Sequence, residues 1–420
     1  MKQQLILVGA NHKSAPIWLR EKFHCDVNQI KYRLRLIKES RIREAVILST
    51  CNRIEVYALA YDNEDASKSL FAMLSEWGRT PIEELSRHAY TLFDDSAVTH
   101  LFEVASGLDS LALGEQQIQV QVGNALKIAQ EVDASGAFLS ELFYAADRAA
   151  KKVRKQMGSE FEATSVSSAA ISLLTSGFPN VHTVLIVGAG KMVTLAADKL
   201  KSSGEYEILI ANRTYQRAEA LARRVSGVPW PYDELPSALK RIDALLIFTS
   251  ANDYLINAGD ISSAIQKRPN RELVLIDGSV PRNIDPDSAR LAGVHLYNID
   301  DLAPLADVKI SESRKHEAKL TINTEVAKFF TKLRSYQAND TLRELHQLAE
   351  EIRQSELKRA FNRMDRLSNH QREIIDALTR RIVNKLLYAP TLRLKEHAGN
   401  GDAESLDLIR ELFAISQENA

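Results

Sequence analysis

Apolar positions along the chain fall into three textures. From residue 1 to about 160, short apolar runs are separated by polar turns. Leu5 to Val8 and Ala45 to Leu48 have strand length, and Ile54, Val56 and Ala58 alternate with Glu55 and Tyr57. A period of two predicts strands here. Ser49-Thr50-Cys51-Asn52-Arg53 then becomes the connection between two of them. From about 97 to 156, small and apolar residues recur at spacings of three and four, which predicts helix.

From about 160 to 310 the pattern changes to strands alternating with helices. The strand cores are Val184 to Val187, Glu207 to Ile210, Ala244 to Phe248 and Leu273 to Ile276. Such alternation predicts a parallel sheet covered on both faces. Between 305 and 389 there is neither Gly nor Pro. Leu342, Leu345, Leu348, Ile352, Ile374, Ile375, Leu378, Ile382 and Leu386 keep helical steps there. A long helical region with one apolar stripe must bury it in a bundle or against a dimer partner.

Composition narrows the class. The 420 residues are too many for one core and imply two or three domains. Lys plus Arg is 54 and Asp plus Glu is 55, so no basic field favours generic nucleic-acid binding. The two cysteines, Cys25 and Cys51, make neither a disulfide framework nor a cysteine-built zinc site. The opening MKQQLILVGANHKSAP reads as a first strand and not as a signal peptide. No apolar stretch reaches membrane-spanning length, and the expected location is the cytoplasm.

Two segments carry chemistry. Gly188-Ala189-Gly190-Lys191-Met192-Val193 joins a strand to a helix. The first glycine permits a tight turn, and the second lets the backbone approach a pyrophosphate at a helix N-terminus. The third position is usually Gly or Ala, and here it is Val193. At the end of the next strand, Asn212-Arg213-Thr214 stands where an acidic residue would hold the ribose of NAD. Arg213 suits the 2′-phosphate of NADP instead. The bland alternative is a glycine turn followed by a surface arginine.

The second segment surrounds Cys51. A lone cysteine is most often a buried, inert residue. Cys51 lies at a strand end, however, with Arg53 two residues on to support a thiolate or a substrate carboxylate. A thiolate there would attack an activated acyl group to give a thioester that hydride can reduce. Cys25 has no such setting and reads as structural. His100, near a helix, and the polar run Glu115-Gln116-Gln117 have no assigned role on spacing alone.

These segments together resemble one family, the glutamyl-tRNA reductases of tetrapyrrole biosynthesis. Gly9 to Pro16 (GANHKSAP), Leu48 to Tyr57 (LSTCNRIEVY) and Ala105 to Ile118 (ASGLDSLALGEQQI) are similar to its N-terminal motifs. Gly188 to Met192 with Asn212-Arg213-Thr214 resembles its NADPH site. Val280-Pro281-Arg282, Tyr297 to Leu302 and Asn384 to Leu387 resemble later blocks. The resemblance runs in order over nearly the whole chain.

The resemblance implies an α/β multidomain protein. An α+β N-terminal catalytic domain would occupy 1–158 and a Rossmann-like NADPH domain with a parallel sheet 159–308. A long connecting helix and an all-α C-terminal dimerisation domain would occupy 309–420. The implied reaction is NADPH-dependent reduction of glutamyl-tRNA(Glu) to glutamate-1-semialdehyde through a Cys51 thioester, with no metal. By position, Cys51 and His100 are catalytic. Thr50, Asn52, Arg53, Ser110, Glu115, Gln116, Gln117 and Gln121 bind the glutamyl group, with Arg53 gripping a carboxylate. Gly188, Ala189, Gly190, Lys191, Met192, Val193, Asn212, Arg213 and Thr214 hold the cofactor. A homodimer and transfer of the aldehyde to an aminomutase are further implications.

This chain departs from the family pattern at several positions. Gln116 stands for a proline, Val120 and Gly123 alter the segment that follows, Val193 stands for the last glycine of the loop, and Tyr388 stands for a histidine. A β-branched Val193 is expected to push the helix or cofactor outward and weaken NADPH binding relative to a glycine. Two other readings stay open on these residues. One is a paralogue that keeps the fold and acts by binding or regulation. The other is a shikimate-dehydrogenase-like NADP oxidoreductase, which the central region alone also suits.

Overall fold

A computed structural model of the chain describes residues 3–39, 42–61, 63–111, 114, 116–158, 166–269, 271–306, 311–364, 367–400 and 412–413. It divides into two compact units, 2–322 and 323–420.

The larger unit holds two sheets among its described residues. The first is antiparallel, with β1 (Gln4–Asn11), β2 (Ile42–Ser49), β3 (Arg53–Ala60) and β4 (Tyr90–Phe93) in the order β2-β3-β1-β4. The alternating segment at 54–58 forms a strand as expected, but every residue of β3 is buried. Its polar residues therefore must find partners inside the protein. Around this sheet lie α1 (Ile17–Arg20), α2 (Val27–Lys38), α3 (Asn63–Trp77), α4 (Ile82–His88), α5 (Asp94–Ala105), α6 (Gln116–Glu131) and α7 (Ala137–Met157). The helical stretch expected over 97–156 is thus three helices. Asp26 starts α2 with a capping box, accepting from the backbone N–H of Gln29 while the Gln29 side chain accepts from Asp26 N–H.

The second sheet is parallel. Its strands are β5 (Thr183–Val187), β6 (Glu207–Ala211), β7 (Val228–Trp230), β8 (Ala244–Ile247), β9 (Leu273–Asp277) and β10 (Val294–Asn298). Their order is β10-β9-β8-β5-β6-β7. Counted from β5 as strand 1, this is 3-2-1-4-5-6, the doubly wound dinucleotide-binding order. The helices α8 (Val166–Gly177), α9 (Lys191–Ser203), α10 (Tyr215–Val225), α11 (Leu235–Ala238), α12 (Ala258–Ile265) and α13 (Ile299–Ala306) alternate with the strands. Two apolar clusters cover the two faces of the sheet, as the continuous apolar strands require.

The helical region past residue 305 forms α14 (Glu312–Arg363) and α15 (Asn369–Asn400). Within the smaller unit, Leu342, Leu345, Leu357 and Leu387 are buried. Arg353 links the two helices, donating to Asp376 Oδ1 at 2.6 Å and to Thr379 Oγ1 at 3.2 Å. Ile374, Leu378, Ile382 and Leu386 leave an exposed apolar row on α15.

Candidate active site

Cys51 sits in the tight connection between β2 and β3. Ser49 pairs with Ile54, and the Thr50 amide donates to the Arg53 carbonyl at 2.9 Å. The Thr50 hydroxyl accepts from the amides of Asn52 (3.1 Å) and Arg53 (3.2 Å) and so fixes the turn from inside. Cys51 itself is half-buried. Cys25 is buried against the Phe23 carbonyl and Arg33, and burial raises its thiol pKa, in keeping with a structural role.

A narrow cleft opens at this turn. Thr50, Cys51, Asn52 and Arg53 form one wall, and Ser110, Gln117, Ile118 and Gln121 form another. Val166, Met192 and Ile299, from the parallel-sheet half, complete it. Six of the residues singled out from sequence for the glutamyl group therefore meet in one cleft with Cys51: Thr50, Asn52, Arg53, Ser110, Gln117 and Gln121. Glu115 lies outside the described residues. Gln116 opens α6, but its side chain lies outside them too.

Arg53 departs from its expected role as a free carboxylate grip. Its guanidinium is buried and already committed. Nη1 donates to Glu55 Oε1 at 2.6 Å, and Nη2 donates to Asp109 Oδ2 at 3.1 Å and to the Asp109 carbonyl. Asp109 also pairs with Lys13 and accepts from Asn11 Nδ2 at 3.3 Å. A buried guanidinium must be neutralised, and these two carboxylates do so.

Glu55 is the centre of this network. It is fully buried, opposite Gly9 of β1, where an added Cβ would stand 2.8 Å from Glu55 Cγ. Its carboxylate accepts from Arg53, from the Tyr57 hydroxyl (2.7 Å) and from the Tyr90 hydroxyl (2.6 Å). His100 Nε2 lies 2.8 Å from Oε1. Burial alone would raise the carboxyl pKa. The charge of Arg53, followed by His100 and the Tyr90 hydrogen bond, outweighs it and holds Glu55 well below the usual range. An ionised carboxylate only accepts, so the His100 Nε2 carries a proton.

That arrangement sets His100 apart from the cleft. It does not line the cleft with Cys51. Its ring nitrogen is bonded to Glu55 and its ring stacks edge-on against Tyr90, 5.5 Å between centroids. His100 is connected to the cleft through Glu55 and Arg53. Sequence reading passed over Glu55, Tyr90 and Asp109 as functional residues. A glutamate and a tyrosine inside an apolar strand were the one available signal.

Another histidine stands closer to the turn. The His12 amide donates to the Asn52 carbonyl at 2.9 Å. Its Nδ1 is buried with no hydrogen-bond partner among the described residues. Burial, then the neighbouring charge of Arg53, lowers its pKa to about 4, so the ring is neutral at pH 7.

The dinucleotide loop follows β5 at the point where the strand order reverses. Gly188 has φ of +122°, and an added Cβ would meet the Phe248 carbonyl at 2.6 Å and Val193 Cγ2 at 2.8 Å. Only glycine fits there. At Gly190 a Cβ would meet nothing within 4 Å, and no side chain caps the N-terminus of α9. The amides at this end face an open cradle of the kind that binds a pyrophosphate. Ala189 and Lys191 flank it, and Met192 reaches the Cys51 cleft. Val193 is fully buried in the core rather than at the cradle's edge. The crowding expected of a β-branched residue is relieved by the missing Cβ of Gly188. Arg213 is exposed after β6, beside Thr214 at the start of α10, and Asn212 Nδ2 donates to the Thr214 carbonyl at 2.9 Å. The cradle suits the pyrophosphate of a dinucleotide.

Comparison with known proteins agrees with this geometry. Residues 8–157 match the family model of the glutamyl-tRNAGlu reductase N-terminal domain. Residues 172–305 match that of shikimate/quinate 5-dehydrogenase, and 317–415 that of the glutamyl-tRNAGlu reductase dimerisation domain. The glutamyl-tRNA reductase of Moorella thermoacetica is 37% identical over 418 residues, covering 98% of this chain and 95% of that one. The chain belongs to the glutamyl-tRNA reductase family. The glutamyl-tRNA reductase of Paenibacillus macerans is 34% identical, over 98% of this chain and 96% of its own. The solved glutamyl-tRNA reductase from Methanopyrus kandleri is 29% identical with a TM-score of 0.51, covering 94% of this chain and 98% of that one. A glutamyl-tRNA reductase thus carries its nucleotide loop on a dehydrogenase-type domain, which makes the cofactor a nicotinamide dinucleotide. Among the described residues, no helix is long and apolar enough to cross a membrane.

Proposed function

We propose that this reductase converts glutamyl-tRNA(Glu) to glutamate-1-semialdehyde with NADPH, through a thioester on Cys51. The observation that carries the reading is the cleft, where Cys51 of one half faces Met192, at the start of the dinucleotide helix, in the other.

The Cys51 thiolate attacks the ester carbonyl carbon. The C–S bond forms, the ester C–O bond breaks, and the tRNA leaves with its terminal hydroxyl protonated. Thr50, Asn52, Ser110, Gln117 and Gln121 supply hydroxyl and amide groups to orient the glutamyl group. Glu115 and Gln116 belong to the same segment and are proposed to complete this set. For a substrate carboxylate to reach Arg53, Asp109 must swing away, and Lys13 is already placed to keep it. His100 and Glu55 hold Arg53 in place during the exchange.

Gly188, Ala189, Gly190, Lys191 and Met192 would hold the pyrophosphate end of NADPH, with Val193 packed in the core against Gly188, and Asn212, Arg213 and Thr214 would hold its 2′-phosphate. Bound there, NADPH supplies the hydride that takes the acyl carbon to the aldehyde. The match to the dimerisation model and the exposed row on α15 support a homodimer. Domains at 1–158, 159–308 and 309–420 belong to the proposal, and the matches over 8–157, 172–305 and 317–415 support it. A cytoplasmic location and direct transfer of the unstable aldehyde to an aminomutase complete the proposal.

The test is to mix the protein with glutamyl-tRNA labelled in the glutamate, with and without NADPH, beside Cys51→Ser. The expected result is label on the wild-type protein without NADPH, chased into aldehyde when NADPH is added, and neither in the variant. Wild-type protein that forms neither acyl-enzyme nor aldehyde would sink the proposal.

A further inference from the structure

Arg20 and Glu21 are consecutive residues at the end of α1. Both cross from the antiparallel-sheet half to the parallel-sheet half of the larger unit. Glu21 accepts from Arg282 Nε at 3.0 Å, from Nη2 at 2.6 Å and from its backbone N–H at 3.2 Å. Arg20 Nη2 pairs with Asp300 on α13. Ile17 of the same helix is buried in the apolar cluster of the parallel sheet.

The polarity of the two pairs is crossed. One half presents cation then anion, and the other presents Asp300 and Arg282 to match. Any exchange of partners would set like charges together, so the contact has one register. It also has a direct line to the nucleophile. Arg20 is buried, and its Nη1 donates to the Cys51 carbonyl at 2.8 Å and to Asn52 Oδ1 at 3.4 Å, while Nε donates to the Ala15 carbonyl at 3.1 Å. One guanidinium therefore spans the joint, with the Cys51 peptide on one nitrogen and Asp300 on the other. Ile299, adjacent to Asp300, lines the cleft beside Cys51.

The carboxylates are less buried than Arg20. The Asp300 side chain is 33% exposed and that of Glu21 is 17% exposed. Only Asp300 offers a face to water, while Arg20, Glu21 and Arg282 are mostly buried, so separating the pairs costs more than it would at an open surface and the joint is held closed.

We propose that Arg20–Asp300 and Glu21–Arg282 form a latch that holds the nucleotide-binding half against the Cys51 turn, with Arg20 a positioning residue that ties closure to the Cys51 peptide. The inference rests on the thioester reading above and says what the acyl group does next. Two fates compete for it. Water adds hydroxide to the acyl carbon, the C–S bond breaks, and glutamate and the thiol result. Hydride delivery to the same carbon breaks the same bond and gives the aldehyde and the thiol, with the nicotinamide oxidised. The closed latch keeps Met192 and Ile299 over the cleft and excludes water, so it decides the ratio of aldehyde to glutamate.

The experiment is single-turnover discharge of labelled acyl-enzyme at saturating NADPH, counting label in aldehyde and in free glutamate. The variants are Arg282→Ala, Arg282→Lys, Asp300→Asn, Glu21→Arg and the charge swap Glu21→Arg with Arg282→Glu. Acylation without NADPH should stay within about twofold of wild type in Arg282→Ala and Asp300→Asn, while the aldehyde-to-glutamate ratio falls about fivefold or more. Arg282→Lys should lie between, and the charge swap should recover most of what Glu21→Arg loses. Recovery by the swap separates a latch from a general loss of fold. An unchanged ratio in both Arg282→Ala and Asp300→Asn, or a swap no better than its single parent, overturns the latch. Wild-type protein that takes no label on Cys51 overturns the thioester reading itself.

Discussion

Val193 fills the space that a side chain at Gly188 would need, with Cγ2 2.8 Å from the position of a Cβ there. The two residues fit as a pair, and both bear on the cofactor. Val193→Gly removes a fully buried side chain and puts glycine in the first turn of α9. It should cost about 2–4 kcal/mol of stability from the cavity and the added backbone freedom. Because Val193 faces the core, NADPH affinity should change by less than about tenfold, or roughly 1.4 kcal/mol. Gly188→Ala should abolish NADPH binding instead. Thermal melting and fluorescence titration with NADPH check both. A Val193→Gly protein that binds NADPH far more tightly than wild type would restore the idea that valine crowds the cofactor.

Arg53→Ala leaves Glu55 ionised and fully buried without its closest cation. Breaking one side of a buried pair typically costs about 3–5 kcal/mol, so this variant should melt much earlier than wild type. Arg53→Lys should be milder but not neutral, because an ammonium does not fork between Glu55 and Asp109. Melting curves of both, read beside the KM for glutamyl-tRNA, separate the structural loss from any loss of substrate binding. An Arg53→Ala protein as stable as wild type would contradict the network described here.

His100 and Cys51 should respond differently to substitution. Cys51→Ser should lose acyl-enzyme and aldehyde together. His100→Asn should lower kcat about tenfold to a hundredfold while still forming acyl-enzyme, because it removes one of several donors to Glu55 and no reacting atom. Single-turnover labelling of both variants checks this. A His100→Asn protein unable to acylate would place His100 in the chemistry.

Stability should fall as pH drops from about 6.5 to 4. The folded protein holds His12 at about 4, through burial first and then the charges of Arg53, Lys13 and Arg20, with Asp109 opposing. The unfolded chain takes up a proton near 6.5 and the folded one does not. A group with a depressed folded pKa therefore contributes stability above the unfolded value and loses it as pH falls toward the folded one. At about 1.4 kcal/mol per unit, discounted for the ring's partial exposure, the loss is roughly 2 kcal/mol. Denaturant midpoints between pH 4 and 7 should show it, and His12→Gln should flatten that limb. A wild-type profile with no slope in this window would overturn the assignment.

Much of the fold was legible because its central strands are apolar on a period of two or in unbroken runs. β4, β7 and β10 were not read, and all three are edge strands. β7 contains Pro229, which edges tolerate and sheet interiors do not. These three are only partly buried, whereas β2, also at an edge, is buried along Ala45 to Leu48 and was read. Of the site, the parts contiguous in sequence were visible, namely Thr50 to Arg53 and the glycine loop. Asp109 on Arg53, and Asp300 on Arg20, join residues far apart in the chain. Their pairing depends on how helices and loops pack, and no spacing encodes it. The burial of Glu55 was hidden for the same reason. Alternation marks a strand, but it does not say that both faces are covered.

The four donors gathered on Glu55 bear on how this sequence is free to change over time. Arg53, Tyr57, Tyr90 and His100 each satisfy part of one carboxylate, so a substitution at any of them alters what the others must do. Loss of Arg53 alone leaves an unmet charge in the core, and loss of Tyr57, Tyr90 or His100 leaves the carboxylate one donor short. Descendants of this chain should therefore vary at these positions in sets and drift independently on the outer faces of α2 and α10.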